Sequence, residues 1–182
     1  MTKAKNSSNL KYILTIDPGT KNLGWAIFKL LPKNKAELIN SGFIKISTKE
    51  KDWAKRIDLI CIDLLNVYWK YHLHFARLLI ELPETFGGRK GQAASNSGSV
   101  GKLMACVFQI KGVISREFPQ FNVDLIPVRT WKGNLPKERT EYRVEKYWGK
   151  KGETNDESDA LGIGDWYIRR ILKYEPTKFK GE

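Results

Sequence analysis

Two apolar runs open the chain, at 11–17 and 23–30, and the turn-rich stretch Asp17-Pro18-Gly19-Thr20-Lys21-Asn22 joins them. Such a join predicts an antiparallel hairpin. Residues 36–46 supply a third strand. From about 49 to 72 the period lengthens: Trp53, Ile57, Ile60, Cys61, Leu64, Leu65 and Tyr68 recur every three or four positions, the pattern of an amphipathic helix. Residues 75–82 form a short apolar run with no alternation, as expected of a fully buried strand. The stretch 84–100 is rich in Gly, Ser and Asn and reads as a loop. Helical spacing returns over 101–117 with Leu103, Val107, Ile110 and Ile114 on one side. A strand is predicted at 122–128, and Pro136 suits the first turn of a helix ending near 148. The last helix is expected over 156–173, with a loose tail from Tyr174. The order β-β-β-α-β-α-β-α-α, with its β-α-β crossovers, predicts an α/β sandwich around a mixed five-stranded sheet.

At 182 residues the chain is long enough to bury one core without staples. We expect a flexible N-terminus at 1–9, a single domain at 10–173 and a flexible tail at 174–182. Lys and Arg outnumber Asp and Glu 32 to 20, a net charge of +12 that favours a polyanionic partner, nucleic acid first. No apolar stretch approaches membrane-spanning length, so a membrane partner is not expected. Residues 1–9 are polar with no signal-peptide core, so the protein is expected to stay in the cytoplasm. Cys61 and Cys106 fall among apolar helix positions and read as buried, reduced side chains, not zinc ligands.

Four acids stand where the chemistry would need them. Asp17 ends the first strand and Glu81 closes the buried run at 75–82. Asp156 and Asp159, at i and i+3, share one helix face. If the first and fourth strands lie parallel and adjacent, their C-terminal ends bring Asp17 and Glu81 to one crevice. Four carboxylates there could form an oxygen-rich cage for two Mg2+ ions roughly 3.5–4 Å apart. Each acid also has a plainer reading. Asp17 before Pro18-Gly19 is equally a turn residue, and Asp156 is equally a helix-capping one. Glu81 is harder to dismiss, because a carboxylate on so apolar a run is unfavourable unless paired or metal-bound. Glu84, Glu157 and Asp165 read as solvated or locally paired.

The stretch Ile13-Leu14-Thr15-Ile16-Asp17-Pro18-Gly19-Thr20-Lys21-Asn22-Leu23-Gly24-Trp25-Ala26-Ile27 resembles the opening of the RuvC-type Holliday junction resolvases, within the ribonuclease H-like superfamily. Leu79-Ile80-Glu81 is similar to that family's second acidic motif. Asn155-Asp156-Glu157-Ser158-Asp159-Ala160-Leu161-Gly162-Ile163 is similar to its closing helix. The resemblance runs in order over 11–172. It implies a ribonuclease H-like fold with strand order 3-2-1-4-5, strand 2 antiparallel. It also implies a catalytic tetrad of Asp17, Glu81, Asp156 and Asp159, and a Mg2+-dependent homodimer that cuts four-way DNA junctions. A longer Gly-rich segment after Glu81 departs from the family pattern and is closer to phage-encoded members.

Arg89, Lys90, Lys102, Lys132 and Lys137 flank the expected crevice and are candidate phosphate contacts. Phe86 is a candidate for the aromatic that wedges at a junction centre, or equally a loop anchor. Trp131 either stacks on unpaired bases or anchors the core. His72 and His74, separated by Leu73, read as surface or cap residues. Two other readings compete with a junction nuclease: a binding module that holds branched DNA without cutting, and a nuclease for RNA–DNA hybrids. A third rests on Asp17-Pro18-Gly19-Thr20, which also resembles the phosphate hairpin of sugar kinases and actin-like ATPases. Those proteins repeat the motif, and this chain holds one copy.

Overall fold

The computed structural model describes residues 11–47, 49–71, 76–84 and 98–177. Strands β1 (Tyr12–Asp17), β2 (Asn22–Leu31) and β3 (Lys35–Lys45) form an antiparallel meander. Helix α1 (Trp53–Tyr71) leads to β4 (Ala76–Leu82), which pairs parallel with β1. Helix α2 (Ser99–Glu117) leads to β5 (Asn122–Pro127), parallel to β4. Then follow a single turn, α3 (Val128–Trp131), and the helices α4 (Lys137–Trp148) and α5 (Asn155–Trp166). The sheet order is β5-β4-β1-β2-β3-β6.

The expected order 3-2-1-4-5 is therefore embedded in a six-stranded sheet. The added strand, β6 (Glu175–Pro176), lies in the segment expected to be loose and pairs parallel with Lys35 and Ala36. Two residues carry no periodic signal, and what holds them is tertiary. The amide of Glu175 donates to Asn34 O at 2.8 Å, and that of Thr177 to Ala36 O at 2.7 Å. The last helix is also shorter than expected: α5 ends at Trp166 and continues as a π-helical turn over Tyr167–Ile171. His72, His74 and the loop carrying Phe86, Arg89 and Lys90 lie outside the described residues. Among the described residues no helix is long and apolar enough to cross a membrane.

The alternation of β1 decides which face each side chain meets. Leu14 and Ile16 point into a core formed with α1 and α2, where Ile57, Ile60, Leu64, Cys106 and Ile110 are also buried. Ile13 points to the other face, where it joins Phe28, Leu79, Trp131, Trp148, Leu161 and Ile163. With a period of two, Thr15 and Asp17 follow Ile13 onto this second face, and Glu81 follows Leu79. Both acids thus face α5.

Helix α5 lies close on that face because its contact residues are small. A Cβ added at Gly164 would stand 2.0 Å from the Phe28 ring. Gly24, the cross-strand partner of Asp17, leaves room for the backbone of Asp156. A Cβ there would stand 1.9 Å from the Asp156 carbonyl oxygen. The buried Thr15 hydroxyl donates to Ala160 O at 2.7 Å, which fixes the helix along the strand. On the outer side, Asp165 (2% exposed) accepts from Arg143 at 2.5 Å, Trp148 Nε1 at 3.1 Å and Arg169 at 3.1 Å, tying α4 to α5.

Gly24→Ala is expected to destabilise the protein by about 3 kcal/mol, since neither the sheet nor the helix backbone can yield cheaply. A lowered urea midpoint at unchanged m-value checks this. An unchanged midpoint would mean that α5 does not approach β2 so closely.

Candidate active site

Asp17 and Glu81 stand one position beyond the last registered pair of β1 and β4, Ile16–Ile80, on the same face of the sheet. The N-terminal half of α5 brings Asp156 and Asp159 against them. Thr154 caps this helix, accepting from Glu157 N at 3.1 Å, so the dipole's positive end faces the carboxylates. Asp17 is near enough to be repelled by each of the other three, and Asp159 also repels Glu81 and Asp156. The Asp17 carboxyl is raised well above the ordinary range, first by burial, then by Glu81, Asp159 and Asp156, with Lys132 opposing. Glu81 is pushed up to about 7. Burial is again the main cause; Asp159 and Glu84 add to it, while the Trp131 hydrogen bond and Lys132 oppose it. Asp156 is raised by burial and by Asp159, against Lys137.

Glu157 shows what a buried acid looks like when the fold satisfies it. It is 1% exposed, and burial alone would raise its carboxyl. Hydrogen bonds from Ser41 (2.6 Å), the amide of Glu153 (2.8 Å) and the Lys150 ammonium (3.1 Å) outweigh that and hold it below the usual value. Glu157 is a structural residue. The protein's own groups do not offset the repulsion at Asp17 and Glu81 in this way, a state characteristic of functional sites.

Two adjacent residues after β5 reach into the cluster. The Lys132 ammonium binds both oxygens of Asp159, at 2.9 and 2.8 Å. The indole Nε1 of Trp131 donates to Glu81 Oε2 at 2.8 Å. The Trp131 ring is 4% exposed and buried under α5, so it anchors the core and does not present a face for stacking bases. Its bond to Glu81 depends on tertiary placement that no local pattern encodes; only its position beside Lys132 hinted at it. Lys137 binds Asn155 Oδ1 and lies 3.7 Å from Glu141, at the mouth of the cluster. Lys102 is exposed, one helical turn before Cys106, whose thiol donates to the carbonyl of Gly19 at 3.6 Å. The helix that carries Lys102 thus touches the turn after Asp17 through Cys106. Glu84 accepts from the Arg129 amide at 2.9 Å.

Among the described residues no three acidic, His or Cys side chains form a ready-made metal cage. The donor set nevertheless suits a hard divalent cation: every candidate ligand is a carboxylate, and the mutual repulsion marks a deficit of positive charge.

The raised pKa values make a signed prediction. A carboxyl whose native pKa exceeds its unfolded value binds more protons in the native state, so stability falls as pH rises from the unfolded value through the native one. For Glu81 that window runs from the ordinary carboxylate range up to about 7. In chelator, the melting temperature is expected to fall between about pH 5 and about pH 8, and Glu81→Gln to flatten that fall. A wild-type melting temperature that rises over this window, or one that Glu81→Gln leaves equally steep, would contradict the electrostatic picture.

No protein-family model matches the chain. Among curated proteins, a crossover junction endodeoxyribonuclease RuvC of Helicobacter hepaticus is 31% identical over 172 residues, spanning 88% of this chain and 84% of the relative. The protein of the same name from Sulfurovum is 29% identical over 169 residues, spanning 87% and 96%. Among solved structures, Thermus thermophilus RuvC in complex with a Holliday junction substrate superposes with a TM-score of 0.58 at 22% identity, over 91% of this chain and 99% of that one. The yeast mitochondrial Holliday junction resolvase Ydc2 gives 0.53 at 16% identity, over 88% and 80%. These two likenesses show a shared ribonuclease H-like fold. Taken with the sequence relatives, they establish that the chain belongs to the RuvC family of crossover junction endodeoxyribonucleases.

Proposed function

We propose that this protein is a metal-dependent endonuclease that hydrolyses phosphodiester bonds in branched DNA, four-way junctions in particular, as a homodimer. One observation carries the reading. Asp17 and Glu81 are held on one sheet face, against the two acids of α5, with raised proton affinities that no partner among the described residues offsets. Such an arrangement is unfavourable in the free protein and becomes favourable when cations arrive. The net charge of +12 supplies the complementary attraction for DNA.

In this reading Asp17, Glu81, Asp159 and Asp156 would together hold two Mg2+ ions, or Mn2+ in their place. When bound, such ions supply Lewis-acid charge that eases deprotonation of an attacking water and offsets charge on the leaving 3′ oxygen. The protein's own groups do the rest. Lys132 holds Asp159 in place until that charge is supplied. Lys102 and Lys137 bracket the cluster and bind backbone phosphates on either side of the scissile bond, giving affinity with little sequence information. Arg89, Lys90 and Phe86 remain proposals from sequence for the segment after Glu84. Paired incision needs two such sites related by a twofold axis, which a homodimer provides.

A cleavage assay in Mg2+ tests the reading, with a labelled four-way junction beside a three-way branch, an RNA–DNA hybrid and a linear duplex. Paired symmetric nicks in the junction are the expected result. Hybrid cutting alone would favour the hybrid nuclease, and tight junction binding without cutting would favour the binding module. Asp17→Asn is expected to reduce cutting on the order of a thousandfold or more while junction affinity is kept or strengthened, because it removes a ligand and a negative charge together. A folded variant that loses binding and cutting alike would count against the assignment.

A further inference from the structure

The carboxylate of Glu81 is carried on a backbone locked by β1 and β5, but three rotatable bonds separate its oxygens from that backbone. A cation shared between β4 and α5 needs those oxygens at a fixed height over the helix. The indole of Trp131 meets that need from a rigid seat. It lies against Gly162 of α5, where an added Cβ would stand 2.7 Å from Cζ3 of the ring and 2.7 Å from Cγ2 of Thr140 on α4. Gly162 is three residues beyond Asp159, hence on the same helix face. From that seat the ring's one polar atom reaches Glu81 Oε2 at 2.8 Å.

We infer that Trp131 is a positioning residue, which sets Glu81 at the distance from α5 that a divalent cation bridging the two elements requires. The inference rests on the functional reading above. The donor is neutral, so it adds no positive charge to compete with a cation. It also engages only part of the carboxylate's acceptor capacity, since a carboxylate offers about four lone-pair directions. Lys132, one residue on, is different: its ammonium lies on both oxygens of Asp159 and competes with a metal for them. Adjacent residues of one turn thus hold carboxylates from two elements, one by a bond compatible with ligation and one by a bond that ligation replaces. Orienting partners of this kind typically change metal affinity ten- to a hundredfold when removed.

Trp131→Phe keeps a ring over Gly162 and removes the N–H. Mn2+ titrated into the DNA-free protein, followed calorimetrically, is expected to bind about ten- to a hundredfold more weakly than to wild type. Junction binding in chelator should stay unchanged, and raising Mn2+ should restore cutting toward the wild-type rate, which a merely damaged fold would not do. Should that variant not fold, Trp131→Leu keeps an apolar side chain in that seat without the N–H and is held to the same expectation. A folded variant whose Mn2+ affinity stays within about twofold of wild type overturns the inference and leaves the nuclease reading intact. A wild-type protein that neither takes up Mn2+ nor cuts overturns both.

Discussion

The buried hydroxyl of Thr15 donates to the carbonyl of Ala160 from among the apolar side chains of its sheet face. That single bond joins the strand ending in Asp17 to the helix beginning with Asp156 and Asp159. It has meaning only because the helix can come close enough to accept it. Gly24 leaves space for the Asp156 backbone, Gly162 for the Trp131 ring and Gly164 for Phe28. A larger side chain at any of these positions would lift α5, and the carboxylates it carries would move away from those of β1 and β4. The site is a consequence of close helix-on-sheet packing, and side-chain volume is the quantity that sets its dimensions.

Close packing also creates the electrostatic problem that the site exists to use. Burial and like charge both raise the proton affinity of Asp17 and Glu81, and among the described residues one indole N–H and one ammonium oppose this. One residue from Asp156, Glu157 is buried more deeply yet is held ionised by Ser41, Lys150 and a backbone amide. The fold is therefore able to satisfy a buried acid at this helix end. That it does so for Glu157 and leaves its neighbours in mutual repulsion separates a structural carboxylate from those awaiting a cation.

Much of this was legible in the chain. Apolar runs bounded by turns located five strands, period-3.6 spacing located the long helices, and the expected adjacency of the first and fourth strands brought the ends carrying Asp17 and Glu81 to one crevice. What escaped depends on contacts between distant segments. The two residues of β6 have no pattern of their own and are strand only because Lys35 and Ala36 are there to pair with. Trp131 offered two readings by sequence, and only its burial beneath α5 and its bond to Glu81 decide between them. Glu157 and Asp165 read as solvated or locally paired, yet both organise buried hydrogen-bond networks with partners from other elements.

The central claim is that the repulsion among these carboxylates is resolved by divalent cations bound between the strand ends and α5. Crystals soaked in Mn2+ and measured for anomalous scattering test it most directly. The account predicts an anomalous peak coordinated by both Asp17 and Glu81, with the Lys132 ammonium released from Asp159. A clean map at that position at saturating Mn2+, or peaks confined to other acids with Lys132 still bound to Asp159, would contradict it.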